Sequence, residues 1–518
     1  MDERKHQSNR VAAALTAVLA LFTVLALTAP QALRLEQRVR ADPGIVGSAY
    51  TDTTVVELWL STADRRLKLA RQPDIEMSAR GPAATDIVID THKTYQTIVG
   101  FGAAMTDSSA WLLENKLGAL QRFILLHELY GPPPGLNFNM MRVTIGASDF
   151  SLKPYTLDDV PSGQVDPQLT HFNIAPDLLD VIPAIHEVLA INPGLRIIAS
   201  SWSAPGWMKT SGSVIGGTLL QQYESVFADY LVKYLDAYRD HGIPIFALTM
   251  QNEPAFIPAT YPGMGMPAPT RARVIAQYLG PKLAKRKQKT SLLEWDHNWS
   301  HPEEPLSVLG DPKAAPYIDG VAWHCYEGVP TAQSRVHRAY PQKDTYISEC
   351  SGGDWGSAMH GELLWFARDL LLAGLRHWAR GVVYWNLALD ENHGPHFGGC
   401  TLCKGIVLID SRTGAISRND EYYAFAHFSR FVLPGAVRIG STDTDHGIYN
   451  VAFQNSADDS IVLVVVNGSA AARNIAVSQD HTRFEYIMPA QSVATFVWEP
   501  GQVGAWRQRL LWWLKKPR

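Results

Sequence analysis

"IFALTMQNEP" (residues 245–254) is an apolar run that ends on Asn252, Glu253 and a rigid proline. Its length and hydrophobicity read as a buried strand, so a carboxylate at its C-terminal end needs a reason. Seven further runs share the pattern: "TIVGFGAAMT" (97–106), "FNMMRVTIG" (138–146), "LRIIASSW" (195–202), "TSLLEWDHNW" (290–299), "DGVAWHCYEG" (319–328), "DTYISEC" (344–350) and "GVVYWNLALD" (381–390). Helical stretches separate them, such as "LLQQYESVFADYLVKYLDAYRDHG", whose apolar residues recur at i, i+3 and i+4 and which stops at Gly242. Eight strand–helix repeats predict an α/β fold with a closed parallel (β/α)8 TIM barrel over residues 93–428. In such a barrel the chemistry sits where strands end and βα loops begin. Those ends read Asp107, Asp149, Trp202, Asn252 with Glu253, Asp296, His324 with Tyr326, Glu349, and Trp385 with Asn386.

The flanks have a different texture. Residues 50–92 and 429–500, including "TTVVELWLSTADRRLKLARQ", "GIYNVAFQN", "SIVLVVVNGS" and "SVATFVWEP", alternate apolar with polar positions and are broken by turn residues. This predicts one discontinuous antiparallel β-sandwich built from both ends of the chain, attached to the barrel. Residues 1–30 join Arg4, Lys5 and Arg10 to an uncharged stretch from Val11 to Ala29, the form of a signal peptide or signal anchor. Residues 31–49 then form a linker, and the body is expected to be extracytoplasmic: secreted, periplasmic or membrane-anchored. The last segment, 501–518, interleaves Trp506, Trp512 and Trp513 with Arg507, Arg509, Lys515 and Lys516. That is the composition of a basic helix lying on a membrane surface, or of a frayed tail. With a net charge of −4 and scattered Lys and Arg, the 518-residue chain carries no electrostatic footprint for nucleic acid.

The four cysteines suit an oxidising compartment. Cys400 and Cys403, in "HGPHFGGCTLCKG", stand close to His393 and His396, but the ligand pairs lack the spacer of common zinc modules. A local disulfide is the preferred expectation over zinc or a redox motif, and no metal is assigned. Cys325 and Cys350 are read as buried thiols or a cross-strand bridge.

Hydrolysis of a glycosidic bond needs a proton for the departing oxygen and a negative group facing the anomeric carbon. Glu253 and Glu349, at the ends of strands four and seven, can flank one sugar across a barrel mouth. Asn252 can bond the sugar 2-hydroxyl, Pro254 stiffens the turn, and Tyr326 or Arg142 can hold Glu349 as the nucleophile. The glycines after Glu349 are expected to let a ligand approach. The Glu349 charge is expected to raise the pKa of Glu253, keeping that acid protonated for the first step. No cofactor is called for.

At these residues the sequence resembles glycoside hydrolase family 30, the family of acid β-glucosidase (glucosylceramidase). The likeness is carried by "GFGAAMTDSSA" (100–110), "MRVTIGASDFS" (141–151), "SSWSAPGWMKT" (200–210), "TMQNEP" (249–254), "VAWHCYEG" (321–328), "ISEC" (347–350), "YWNLALDENHGP" (384–395) and "YYAFAHFSRFVLPGAVRIGS" (422–441). The resemblance implies Glu253 as acid/base and Glu349 as nucleophile. It also implies Asp107, Trp202, Asn252, His324, Tyr326 and Trp385 as substrate-binding residues, with Arg142 and Asn386 supporting. It implies retention of anomeric configuration, hence carboxyl groups about 5–5.5 Å apart. The main expectation is a retaining β-glucosidase acting on glucosylceramide or a related glycolipid, the alternatives being a β-1,6-glucanase or β-xylosidase of the same mechanism and a non-catalytic carbohydrate-binding protein. Two departures stand out: Cys325 occupies a place where a bulky ring is common, and the lipid-binding loops of glucosylceramidase are not identifiable.

Overall fold

The computed structural model describes residues 54–78, 87–355, 361–444 and 447–500. The expected export segment, linker and basic tail lie outside the described residues. Among the described residues no helix is long and apolar enough to cross a membrane.

Eight parallel strands close the barrel in chain order: Gly100–Ala104, Met140–Ile145, Arg196–Ser201, Ile245–Thr249, Ser291–Asn298, Gly320–His324, Asp344–Glu349 and Gly381–Tyr384, the last pairing with the first. All eight runs singled out in the sequence supply one strand each. Period-two alternation sorts their inward side chains into layers. The floor is apolar, formed by Met140, Ile198, Ala247, Leu293, Ala322, Tyr346 and Val383. Two residues further along, the same strands present Arg142, Ser200, Thr249, His324 and Ser348, all buried. The barrel therefore carries a polar layer directly above a dry one, on the side where the βα loops open.

Strand five breaks the alternation. Trp295 and Asp296 have positive φ (78° and 57°), and the pairing with strand six slips between Trp295 and His297. This bulge turns Trp295 into the outer core and sends Asp296 inward instead.

The second domain is a nine-stranded sheet in the order Ala70–Glu76, Val55–Thr62, Ser492–Trp498, Ile461–Asn467, Ile448–Gln454, Val437–Ser441, Ile87–Thr97, Arg473–Gln479, Thr482–Met488. Both ends of the chain contribute, as expected for a discontinuous domain. Three details differ from the sequence expectation. The strand Ile87–Thr97 runs through the expected boundary at 92/93 because it pairs with Val437–Ser441 as far as Thr97. Its other neighbour, Arg473–Gln479, is parallel to it, so the sheet is not wholly antiparallel. The strand Ile461–Asn467 does not alternate with polar residues, because both of its faces are covered. Ile461, Leu463 and Val465 enter the sandwich core, while Val462, Val464 and Val466 join the barrel core.

The helix Asp420–Ser429 joins the two domains through His427, which is fully buried and bonded to Thr495 Oγ1 and Ser61 Oγ, both at 2.8 Å. Burial pushes this imidazole from 6.5 down to about 3. A base depressed on folding stabilises fully above its unfolded pKa and loses that contribution as pH falls through 6.5 toward 3. The expected loss is about 2 kcal/mol between pH 7 and pH 5. Urea unfolding at both pH values checks it: His427→Gln should flatten the difference by about that amount, and an unchanged pH slope in the variant would contradict it.

Candidate active site

Strand four ends at Thr249, and its inward partner in the next turn is Asn252, held by its amide on Ser201 O at 2.7 Å. Glu253 then adopts a left-handed conformation (φ 47°), and its amide bonds Asp296 O at 3.0 Å. A non-glycine residue in that region costs on the order of 1–3 kcal/mol, and here it aims two consecutive side chains into the barrel. Strand seven uses a register slip to the same end: Ile347 pairs with Trp323 but Glu349 with His324, so Ser348 and Glu349 both reach the polar layer.

Arg142, fully buried on strand two, organises that layer. Its guanidinium bonds Glu349 Oε2 through Nη1, Asn252 Oδ1 (2.7 Å) and Asp296 Oδ2 (2.8 Å) through Nη2, and Ser200 Oγ (3.0 Å) through Nε. Its flat face lies 4.6 Å from the Trp202 ring and 5.3 Å from Trp385. The two indoles stack on each other at 5.0 Å. Tyr326 OH donates to Glu349 Oε1 at 2.9 Å, so both Glu349 oxygens accept from fixed donors. Asn252 uses its carbonyl on Arg142, which leaves its amide nitrogen to donate to a ligand.

Asp296 accepts from Arg142, from His324 Nε2 (3.2 Å), and from Thr249 (2.6 Å), Ser348 (2.5 Å) and Ser200 (3.0 Å). Burial opposes its charge, but Arg142 and these bonds outweigh it and hold the carboxyl far below the usual range. An ionised Asp296 fixes the proton on His324 Nε2. His324 Nδ1 faces Glu253 Oε1 at 3.0 Å and Glu349 Oε1 at 3.8 Å. Burial would lower this imidazole, yet the Glu349 charge and the bonds to Asp296 and Glu253 raise it to about 9.

This corrects the expectation for the acid. Glu253 is not held up by Glu349, because His324 stands between them. Burial raises its pKa, but the bond and charge of His324, with His297 and Arg142 behind, bring it below the ordinary carboxylate value. In the resting site the shared proton sits on His324, one 3.0 Å hydrogen bond away from Glu253. One oxygen of each glutamate and His324 Nδ1 all lie within 4.8 Å of one another. That spacing suits direct attack and leaves no room for the water an inverting pair must hold. These are also the only converging metal-ligand types found among the described residues, but their atoms are already tied into an ion network by Arg142 and the His324 proton.

Asp107 does not join this cluster. It opens the helix Asp107–Lys116 and accepts from Tyr155 OH at 3.0 and 3.2 Å, and Tyr155 also reaches Asp177. A second aspartate, Asp149, lies buried just beyond the end of strand two, against Gly399. Burial, then the Glu349 and Glu253 charges, push it up to about 8, so at neutral pH it can donate as well as accept. Asn386, with φ 82°, accepts from Thr106 at 2.8 Å and braces strand eight against strand one.

Three other residues at the site had no role assigned from the sequence. His297 Nε2 lies 3.8 Å from Glu253 Oε1, and burial lowers its pKa to about 4. Asp296 was visible only as a strand end, and Tyr261, on the loop after Glu253, packs beside the Trp202–Trp385 cluster. The bulge at 295–297 has no glycine to announce it. The glycines after Glu349 also play another part: Gly352 and Gly353 pair with Lys404 and Cys403, and a Cβ on Gly352 would overlap Glu421.

Both disulfides form, Cys325–Cys350 between strand ends six and seven, and Cys400–Cys403 within the strand-eight loop. The zinc alternative is thereby displaced: His393 bonds Cys403 O (3.0 Å) and Asp354 (3.2 Å), and His396 bonds Gly398 O (3.1 Å).

Residues 98–432 match the family model of the glycosyl hydrolase family 30 TIM-barrel domain, and residues 435–496 match that of the family 30 beta sandwich domain. The chain is 36% identical over 445 residues to the endo-1,6-beta-D-glucanase of Neurospora crassa, covering 82% of this chain and 90% of that protein. It is 29% identical to the lysosomal acid glucosylceramidase of Mus musculus, covering 80% of this chain and 83% of the other. Among solved structures it is similar to the endo-beta1,6-glucanase BT3312, with a TM-score of 0.78, 31% identity, and coverage of 86% of this chain and 99% of that one.

Proposed function

The chain belongs to glycoside hydrolase family 30, and on that premise we propose that it is a retaining glucanase cleaving β-1,6-linked glucan through Glu349 as nucleophile and Glu253 as acid/base. The observation that carries the chemistry is the approach of the two carboxylates within 4.8 Å at the mouth of the barrel. The choice of β-1,6-glucan over glucosylceramide is supported by the 36% and 31% identities to endo-1,6-glucanases against 29% to the glucosylceramidase.

In the first step the Glu349 carboxylate attacks the anomeric carbon. As that bond forms, the bond to the leaving oxygen breaks, and Glu253 passes to it the proton that it takes from His324 Nδ1 across their hydrogen bond. Arg142 and Tyr326 keep Glu349 oriented, and the Asn252 amide donates to the sugar 2-hydroxyl, a bond that tightens as positive charge grows on the ring. In the second step Glu253 takes a proton from water, the water oxygen bonds the anomeric carbon, and Glu349 leaves as a carboxylate. Trp202 and Trp385 supply the apolar wall, and Asp107 and Asp149 are the aspartates offered to the sugar hydroxyls. The two disulfides support an extracytoplasmic site of action.

The roles separate in Glu253→Gln. With a dinitrophenyl β-glucoside, whose leaving group needs no proton, the variant should release a burst of one equivalent of phenol and then turn over slowly. On β-1,6-glucan it should lose about 10²–10⁴-fold in rate. Equal losses on both substrates, without a burst, would remove Glu253 from its role. Release of oligosaccharides from β-1,6-glucan, with none of comparable rate from glucosylceramide vesicles, is the expected substrate result; the reverse would return the glycolipid reading.

A further inference from the structure

We propose that the disulfide-closed turn 398–403 is a positioning device for Asp149, setting that carboxyl against the bound sugar so that glycone recognition depends on the Cys400–Cys403 link. The inference rests on the reading of the site as a β-glucosidic one and adds to it a part for a motif that the catalytic chemistry leaves unused.

The turn touches the site from three sides. On the first, Gly399 lies so close to the Asp149 carboxyl that a Cβ would overlap it, and the Phe397 amide donates to Asp149 O at 2.6 Å. On the second, Gly398 lies so close to the Thr260 carbonyl that a Cβ would overlap it, and Thr260 precedes Tyr261 on the loop that follows Glu253. On the third, Cys403 and Lys404 pair with Gly353 and Gly352, just beyond Glu349. The turn thus bridges the loops that carry the acid/base, the nucleophile and the sugar-facing aspartate.

The chain needs help to hold that bridge. Gly398 and Gly399 both have positive φ (71° and 65°), and a Cβ on Gly399 would overlap Asp149 itself. Two consecutive glycines are the residues that reach this backbone shape without strain, and also those with the most freedom to leave it. A disulfide across two intervening residues removes much of that freedom. Cys403 is buried and packs with Phe150, Trp202 and Trp385, which anchors one end of the link in the aromatic wall. His396 adds a further strut, its ring against Phe150 and its Nδ1 on Gly398 O at 3.1 Å. Without the link, the Gly398–Gly399 backbone is free to drift from Asp149, and the carboxyl loses the wall it packs against.

A double-mutant cycle tests this. Full-length wild type, Cys400→Ala/Cys403→Ala, Asp149→Asn and the triple variant are compared on an aryl β-glucoside, with KM, kcat, the inhibition constant of free glucose and the melting temperature recorded for each. Removing the disulfide should cost about 10-fold in kcat/KM and weaken glucose by a similar factor when Asp149 is present, the scale of one lost hydrogen bond. In the Asp149→Asn background the same change should cost less than about 2-fold, while the drop in melting temperature is equal in both backgrounds. Equal losses of activity in both backgrounds, or no loss in either, would overturn the proposal. Should the cysteine variant fail to fold, Gly399→Ala replaces it in the cycle with the disulfide intact. Wild-type turnover of the glucoside is a separate control: its absence sinks the β-glucosidic reading, whereas turnover with additive losses sinks the positioning role alone.

Discussion

Glu349→Gln is expected to lower kcat by about 10⁴-fold or more on every substrate the wild type accepts, with activated and unactivated leaving groups affected alike. An amide oxygen is a poor nucleophile toward the anomeric carbon, and the other two carboxylates of the network are engaged. Asp296 is spent on five protein donors, and Glu253 is bonded to His324. The protein should nevertheless stay folded, because the variant amide can still accept from Arg142 through its oxygen and donate to Tyr326 OH through its nitrogen, and Arg142 keeps Asp296 as counter-ion. Steady-state rates on an aryl glucoside and on β-1,6-glucan, set beside a thermal melt, check both halves. A loss confined to one class of leaving group would transfer the nucleophile's role elsewhere.

The second large effect is on stability. Arg142→Ala should cost about 3–5 kcal/mol, because it leaves the Asp296 and Glu349 carboxylates buried together without their shared cation. It also removes the flat face that the Trp202 and Trp385 rings pack against. Arg142→Lys should restore part of that stability but little activity, since an ammonium cannot bond Ser200, Asn252, Asp296 and Glu349 in one plane. Urea midpoints at constant m-value give the stability, and kcat on the same samples gives the activity. A change below about 1 kcal/mol in the alanine variant would contradict the place given to Arg142 as the centre of the polar layer.

Much of this site was legible in the sequence because barrel strands obey a simple rule: apolar runs whose last residues are polar point those residues at the mouth. Glu253, Asn252, His324, Tyr326 and Glu349 were all found that way, and the structure brings them together around Arg142. The rule fails where backbone geometry overrides period two. Asp296 and His297 are neighbours in the chain yet both face the site, through left-handed residues that are not glycines. Asp107 and Asp149 are each an aspartate at a strand end, and only their contacts tell them apart. Asp107 accepts from Tyr155, while Asp149 packs against Gly399 and accepts from the Phe397 amide through its backbone carbonyl. Electrostatics was the least legible layer. A raising effect of Glu349 on Glu253 could be guessed from two carboxylates alone, but the direction of the net shift depends on the imidazole placed between them. In the sandwich, "IVLVVV" reads as a strand but not as one covered on both faces, because the second cover comes from the barrel domain.

Proton NMR of the first-formed sugar, recorded before mutarotation, tests the pair of carboxylates most directly. Glutamate oxygens within 4.8 Å of each other require two displacements, so the new reducing end should appear as the β anomer. An α anomer formed first would mean that water attacks directly from the far side, and would contradict Glu349 as the nucleophile.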